Sequence, residues 1–116
     1  MSRISFNEMQ RMVYDEYIKN GYLDMWYIHG MPTAEIREKM QAIADIGEVG
    51  LFTSEVGEAL EAIRHGDSKE HLAEELADIV IRVMNFATRK DIDLENAILL
   101  KHEKNMKRPI LHGKKV

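Results

Sequence analysis

At 116 residues with no cysteine, the chain has room for one domain and one core, and it has no disulfide, thiolate metal ligand or cysteine nucleophile. A composition of 45% hydrophobic and 31% charged residues excludes a disordered chain, and no apolar run approaches the ~18 residues of a membrane span. The net charge of −4 divides unevenly, because residues 101–116 hold six basic residues against one acid, a local +5 that leaves −9 for the first 100.

Only two prolines, at positions 32 and 109, interrupt the chain, so helix is the expected state throughout. Ser5 and Glu8 form a capping box and Asn20-Gly21 a stop, which predicts a first helix over about 6–19 with Phe6, Met9, Val13 and Tyr17 as its core stripe. The aromatic stretch YLDMWYIHGMP that follows ends in a breaker pair and reads as a loop. Thr33 caps a second helix from Ala34, whose apolar positions Ile36, Met40, Ile43, Leu51, Val56, Leu60 and Ile63 run past Gly47 and Gly50, glycines able to kink or divide it. His65-Gly66 ends that helix. Asp67 and Glu70 make a second capping box for a helix over about 68–88, apolar almost all round after Leu76 and therefore expected at the centre of a bundle. Asp93 caps a last helix over about 94–107, stopped before Pro109. The expected fold is all-α, a single domain over 1–116 built as a four-helix bundle. So apolar a third helix in so short a chain predicts completion by dimerisation, with a homodimer or homotetramer as the assembly.

Acidic pairs at spacing i, i+3 are common in a chain with 20 acids, and most are solvated faces. Glu35/Glu38 share a face with Lys39, and Glu58/Glu61 run toward Arg64 and His65, as surface charges do. Glu55 and Glu58, however, also lie in line with Leu51, Phe52, Ala59 and Ala62, while Glu75 sits between Leu72 and Ile79 and Asp78 is followed by Ile81. These four interrupt apolar stripes. Converging there, each pair would repel by about 4 kcal/mol at ~4 Å and an effective dielectric of ~20, so the group needs a cation or protons. All-oxygen ligands on helices suit Mg2+ first and Mn2+ second. A di-iron bundle would need Glu-x-x-His, which occurs nowhere in the chain.

On the last helix Leu94, Ala97, Ile98, Lys101, Asn105 and Arg108 succeed one another along one face that begins apolar and ends polar. Cations facing a metal site suggest a polyphosphate between them; the simpler reading is a basic helix end favoured by the dipole.

With these pieces in place, the sequence resembles the MazG-like, all-α nucleotide pyrophosphohydrolases, a group related to dimeric dUTPases and phosphoribosyl-ATP pyrophosphohydrolase. The resemblance covers roughly 33–115 and rests on SEVGEALEAIRHG, EELADIVIRV and LLKHEKNMKRPILHGKK in that order. It implies that Glu55, Glu58, Glu75 and Asp78 are Mg2+ ligands, with Glu55 or Glu58 orienting or deprotonating the attacking water, and that Lys101, Asn105 and Arg108 contact the nucleotide or its phosphates. It also implies hydrolysis of a nucleoside triphosphate between the α and β phosphates, in a cytoplasmic role of clearing unwanted nucleotides. Ser54 departs from the pattern, since many members carry a further glutamate there. Similar proteins repeat His112-Gly113-Lys114 after the arginine, which puts His112 and Lys114 over the phosphates; the alternative is an exposed basic tail at about 107–116. Trp26 is a candidate for stacking on the base with His29 beside it, the alternative being a core anchor. Two other functions stay open: phosphoribosyl-ATP hydrolysis, and a non-catalytic helical module that binds a partner, or nucleic acid through its basic tail. Nucleic acid is the less expected partner, because the surface as a whole is not basic, and no membrane partner is expected.

Overall fold

The computed structural model describes residues 3–20 and 33–108, and the described residues form four α-helices and no strand. They are α1 (Phe6–Lys19), α2 (Ala34–Arg64), α3 (Lys69–Arg89) and α4 (Leu94–Met106). The all-α expectation therefore holds, with helix boundaries within one or two residues of those read from capping residues.

The helix starts show why. The Ser5 hydroxyl accepts from Glu8 N at 3.1 Å, Thr33 from Ile36 N at 3.1 Å, and the Asp93 carboxylate from Asn96 N at 3.1 Å, each satisfying an amide that has no partner within its helix. At α3 the cap is Ser68, accepting from His71 N at 3.1 Å, and not Asp67 as the sequence pattern suggests. Asp67 is occupied by the preceding turn: its amide donates to Ala62 O at 2.9 Å and that of Gly66 to Ile63 O at 3.1 Å, with Gly66 at φ +66°. This paired closure needs a left-handed residue just past the helix end, which glycine supplies without steric cost. The same closure ends α3, where Ile92 N donates to Ala87 O at 2.8 Å and Asp91 occupies the left-handed position at φ 55°.

One open point closes and one expectation changes. α2 runs unbroken for 31 residues, about 46 Å at ~1.5 Å per residue, without dividing at Gly47 or Gly50. On α1 the buried position is Gln10, and Met9 stays 40% exposed. Gln10 turns inward because its Nε2 donates to Thr88 Oγ1 at 2.8 Å, while Thr88 in turn donates to Met84 O.

α3 packs against both α1 and α2, in the central position expected of it, whereas α4 touches the other helices only marginally. The buried apolar positions are small or flexible, Ala59 and Ala62 on α2 and Met84 and Ala87 on α3. Phe52 meets Phe86 edge to face at 6.0 Å. The stripe read along α2 is not covered: Ile36, Ile43, Leu51, Val56, Leu60 and Ile63 are exposed, as are Leu76 and Val80 on α3 and Ile98, Leu99 and Leu100 on α4. Apolar residues surround α2 on all sides, and α3 covers only some of them.

What fixes α2 against α3 is a set of ion pairs. Arg89, its side chain 8% exposed, pairs with Asp45 and Glu48, donating from Nε to Glu48 Oε2 at 2.7 Å, and lies 5.3 Å from the Phe86 ring. Lys90 Nζ reaches Asp45 Oδ2 at 2.7 Å. Burial pushes the Asp45 carboxyl up, but hydrogen bonds from Lys90, Arg89 and Gln41 outweigh it and hold its pKa at about 2 against an ordinary 3.8. A carboxyl held low in the fold stabilises it above the unfolded value and loses that contribution as pH falls through the folded one. Asp45→Asn should thus cost about 1 to 2 kcal/mol near neutral pH, allowing for solvent screening, with the penalty shrinking below about pH 5 and vanishing only below the folded pKa of about 2. Urea midpoints of both proteins at pH 7, 4 and 2.5 check this, and a pH-independent difference would contradict it.

Candidate functional site

The α2–α3 contact line has a regular spacing. Asp45, Glu48, Phe52, Glu55, Ala59 and Ala62 on α2 succeed one another at alternating steps of three and four, as do Glu75, Asp78, Arg82, Asn85 and Arg89 on α3. Such steps keep side chains on one narrow face. The two helices run antiparallel, so α2 passes from Asp45 to Glu55 as α3 passes from Arg89 back to Arg82. This seam is mostly polar. Its Arg89 end is neutralised by the pairs described above, and its Glu75 end is not.

At that end Glu55, Glu75 and Asp78 each present a carboxylate oxygen, all within 4.8 Å of one another. The Glu55 and Glu75 side chains are 17% and 15% exposed, while Asp78 opens to solvent. Arg82 is the nearest compensating charge, its Nε donating to Glu55 Oε1 at 2.7 Å. His71 Nε2 lies 3.4 Å from Glu75 and 3.5 Å from Asp67. The three oxygens fit a hard divalent cation: ligands about 2.1 Å from Mg2+ lie no more than about 4.2 Å apart, so donors spread over at most 4.8 Å close on it by small side-chain movements.

Glu58 is exposed and outside this trio. The seam steps from Phe52 to Glu55 by three and then to Ala59 by four; Glu58, a second consecutive step of three, is turned about 60° beyond Glu55, while Ala59 and Ala62 take the inward positions. Lys101, Asn105 and Arg108 are exposed on and just beyond α4, and none pairs with the cluster among the described residues. Trp26, His29, His112 and Lys114 lie outside the described residues.

Beside the carboxylates is a cavity of about 320 Å³, at the small end of ligand pockets. Glu55, Asp78 and Arg82 line it together with Tyr17, Glu48, Ile81 and Asn85. Burial, with Glu48 nearby, raises the Tyr17 hydroxyl above its ordinary pKa, which keeps it protonated. Arg82, Asn85 and Glu48 escape a reading of the sequence that looks for apolar stripes. Their signal is the polar stripe Arg82, Asn85, Arg89 running through the otherwise apolar stretch of α3.

Because Arg82 already compensates the Glu55 carboxylate, removing it should favour the cation. Calorimetric titration with Mn2+ is expected to give at least about fivefold tighter binding to Arg82→Leu than to the native chain; equal or weaker binding would contradict competition between Arg82 and the cation for Glu55.

Comparison with known proteins gives one family: the model of the MazG nucleotide pyrophosphohydrolase domain matches residues 49–111, more than half of the chain. The matched stretch contains Glu55, Glu58, Glu75, Asp78, Lys101, Asn105 and Arg108, and leaves out α1 and Glu48. No curated protein and no solved structure gives a significant match.

Proposed function

The chain belongs to the MazG nucleotide pyrophosphohydrolase family, and on that premise we propose that it hydrolyses nucleoside triphosphates between the α and β phosphates, releasing a nucleoside monophosphate and pyrophosphate. The observation that carries this reading is the meeting of Glu55, Glu75 and Asp78 on the α2–α3 seam, inside the matched stretch and next to a cavity.

Glu55, Glu75 and Asp78 would hold Mg2+, with Mn2+ as a substitute. When bound, such a cation supplies charge neutralisation at the α-phosphoryl oxygens and acidifies water beside them. Glu58, exposed and without an ion-pair partner among the described residues, is the carboxylate best able to take the proton of the attacking water. The water oxygen bonds to the α-phosphorus, the bond to the bridging oxygen breaks, and its electron pair leaves on pyrophosphate. Arg82, the cation nearest the carboxylates, can turn from Glu55 to a phosphate oxygen once Glu55 has another positive partner. Lys101, Asn105 and Arg108 are assigned to the departing pyrophosphate. Because α4 touches the other helices so little, this assignment requires α4 to close on the seam or a second copy to supply it.

The exposed Val56, Leu60, Ile63, Leu76 and Val80 support a homodimer or homotetramer, since so much apolar surface on a small chain calls for cover. None of the described helices is long and apolar enough to cross a membrane. The role we assign is removal of unwanted nucleotides in the cytoplasm.

The test is product analysis with a panel of NTPs, dNTPs and phosphoribosyl-ATP in Mg2+, with an EDTA control. Monophosphate and pyrophosphate, lost on chelation and reduced by at least about 100-fold in folded Glu58→Gln and Asp78→Asn, are the expected result. Turnover of phosphoribosyl-ATP alone would move the assignment to that specialised reaction. No turnover of any substrate would leave a helical binding module with a basic tail.

A further inference from the structure

Asn85 is 4% exposed and its Oδ1 has no hydrogen-bond partner among the described residues. A buried acceptor left in that state costs about 1–3 kcal/mol, and folded proteins rarely retain one without a reason. Asn85 is in the cavity wall and its Oδ1 is closed to solvent, so a ligand seated there supplies the missing donor once the side chain turns toward it. Gln10 Oε1 is also buried and unpaired, but Gln10 is anchored on Thr88 and is not part of that wall.

We propose that the cavity seats the base of the nucleotide, and that Asn85 Oδ1 accepts a hydrogen bond from an N–H on the edge of that base. The inference rests on the nucleotide reading of the adjoining carboxylates. Asp78 and Asn85 are seven residues apart on one face of α3, about 10 Å along its axis, which leaves room for a sugar between an α-phosphate at Asp78 and a base at Asn85. The wall also holds Tyr17 and Ile81, an aromatic and an aliphatic surface suited to a flat ring. Glu48 in the same wall is held by Arg89, while Asn85 Oδ1 has no partner among the described residues. An amide presents an acceptor beside a donor, the pattern that pairs with a base edge carrying both. Bases with an exocyclic amine or ring N–H satisfy Oδ1; analogues whose edge lacks it leave the acceptor buried and unpaired.

The experiment compares the full-length chain with Asn85→Leu, which removes the amide at similar volume, and Asn85→Asp, which keeps an acceptor. For the preferred triphosphate and its deamino or N-methyl analogue, the native chain should favour the parent in kcat/KM by about 10- to 100-fold. Asn85→Leu should bring this ratio to near unity, and Asn85→Asp should keep it above the leucine variant. In parallel, NMR titration of the metal-free protein with adenosine, guanosine, cytidine and uridine should shift the Asn85 side-chain amide and the Tyr17 ring with at least one nucleoside. Equal discrimination by the native chain and Asn85→Leu overturns the proposal, as do nucleosides that leave both groups unmoved. Should Asn85→Leu fail to fold, the native ratio, Asn85→Asp and the titration still decide. A native chain that turns over no nucleotide removes the hydrolase reading, and the titration then settles the pocket by itself.

Discussion

Arg89 is the residue on which the arrangement depends. It lies almost buried between two carboxylates of α2, with the Phe86 ring beneath its guanidinium. Removing one partner of such a set strands the others, so the pair of helices has one strongly preferred register. Moving from Arg89 along both helices in steps of three and four brings Arg82 opposite Glu55 and then Asp78 and Glu75 beside it. The acids at the far end of the seam are therefore placed by the neutral pairing at the near end.

The same spacing explains how one seam serves both purposes. Where acids face arginines, around Asp45, Glu48 and Arg89, the charges close on one another and stabilise the pair of helices. Where acids face acids, around Glu55, Glu75 and Asp78, a single arginine offsets three carboxylates, and the remaining repulsion is relieved by a cation. Stability given up at one place in a fold and supplied elsewhere is the usual signature of a functional site. The large apolar surface left on α2, α3 and α4 has a related origin: with polar residues filling the contact line, the apolar ones are displaced to flanking faces that a single chain does not cover.

How much of this was legible in the sequence follows from the kind of signal each feature leaves. Helix starts depend on one side chain and one amide, and Ser5, Thr33 and Asp93 were readable for that reason. Ser68 takes the cap in place of Asp67 because the turn that closes α2 still includes Asp67 and α3 starts only at Lys69, a boundary no three-residue pattern contains. Glu55, Glu75 and Asp78 stood out as acids within apolar stripes, whereas Glu58 has the same spacing but is turned about 60° beyond Glu55, and that direction appears only once α3 is in place. Arg82, Asn85 and Arg89 were hidden by the apolar residues between them, although their own three-four spacing is regular. On α4, sequence periodicity defines a face for Lys101, Asn105 and Arg108 but not what that face meets.

The central proposition is that the carboxylates brought together by the α2–α3 register form a divalent cation site. A direct measurement is Mn2+ binding to the native chain and to Glu75→Gln, followed by electron paramagnetic resonance of the free ion, with circular dichroism to establish that both are equally helical. Saturable binding by the native chain, weakened at least about tenfold in Glu75→Gln, is the predicted result. Binding that is absent, or unchanged by the substitution, would contradict it.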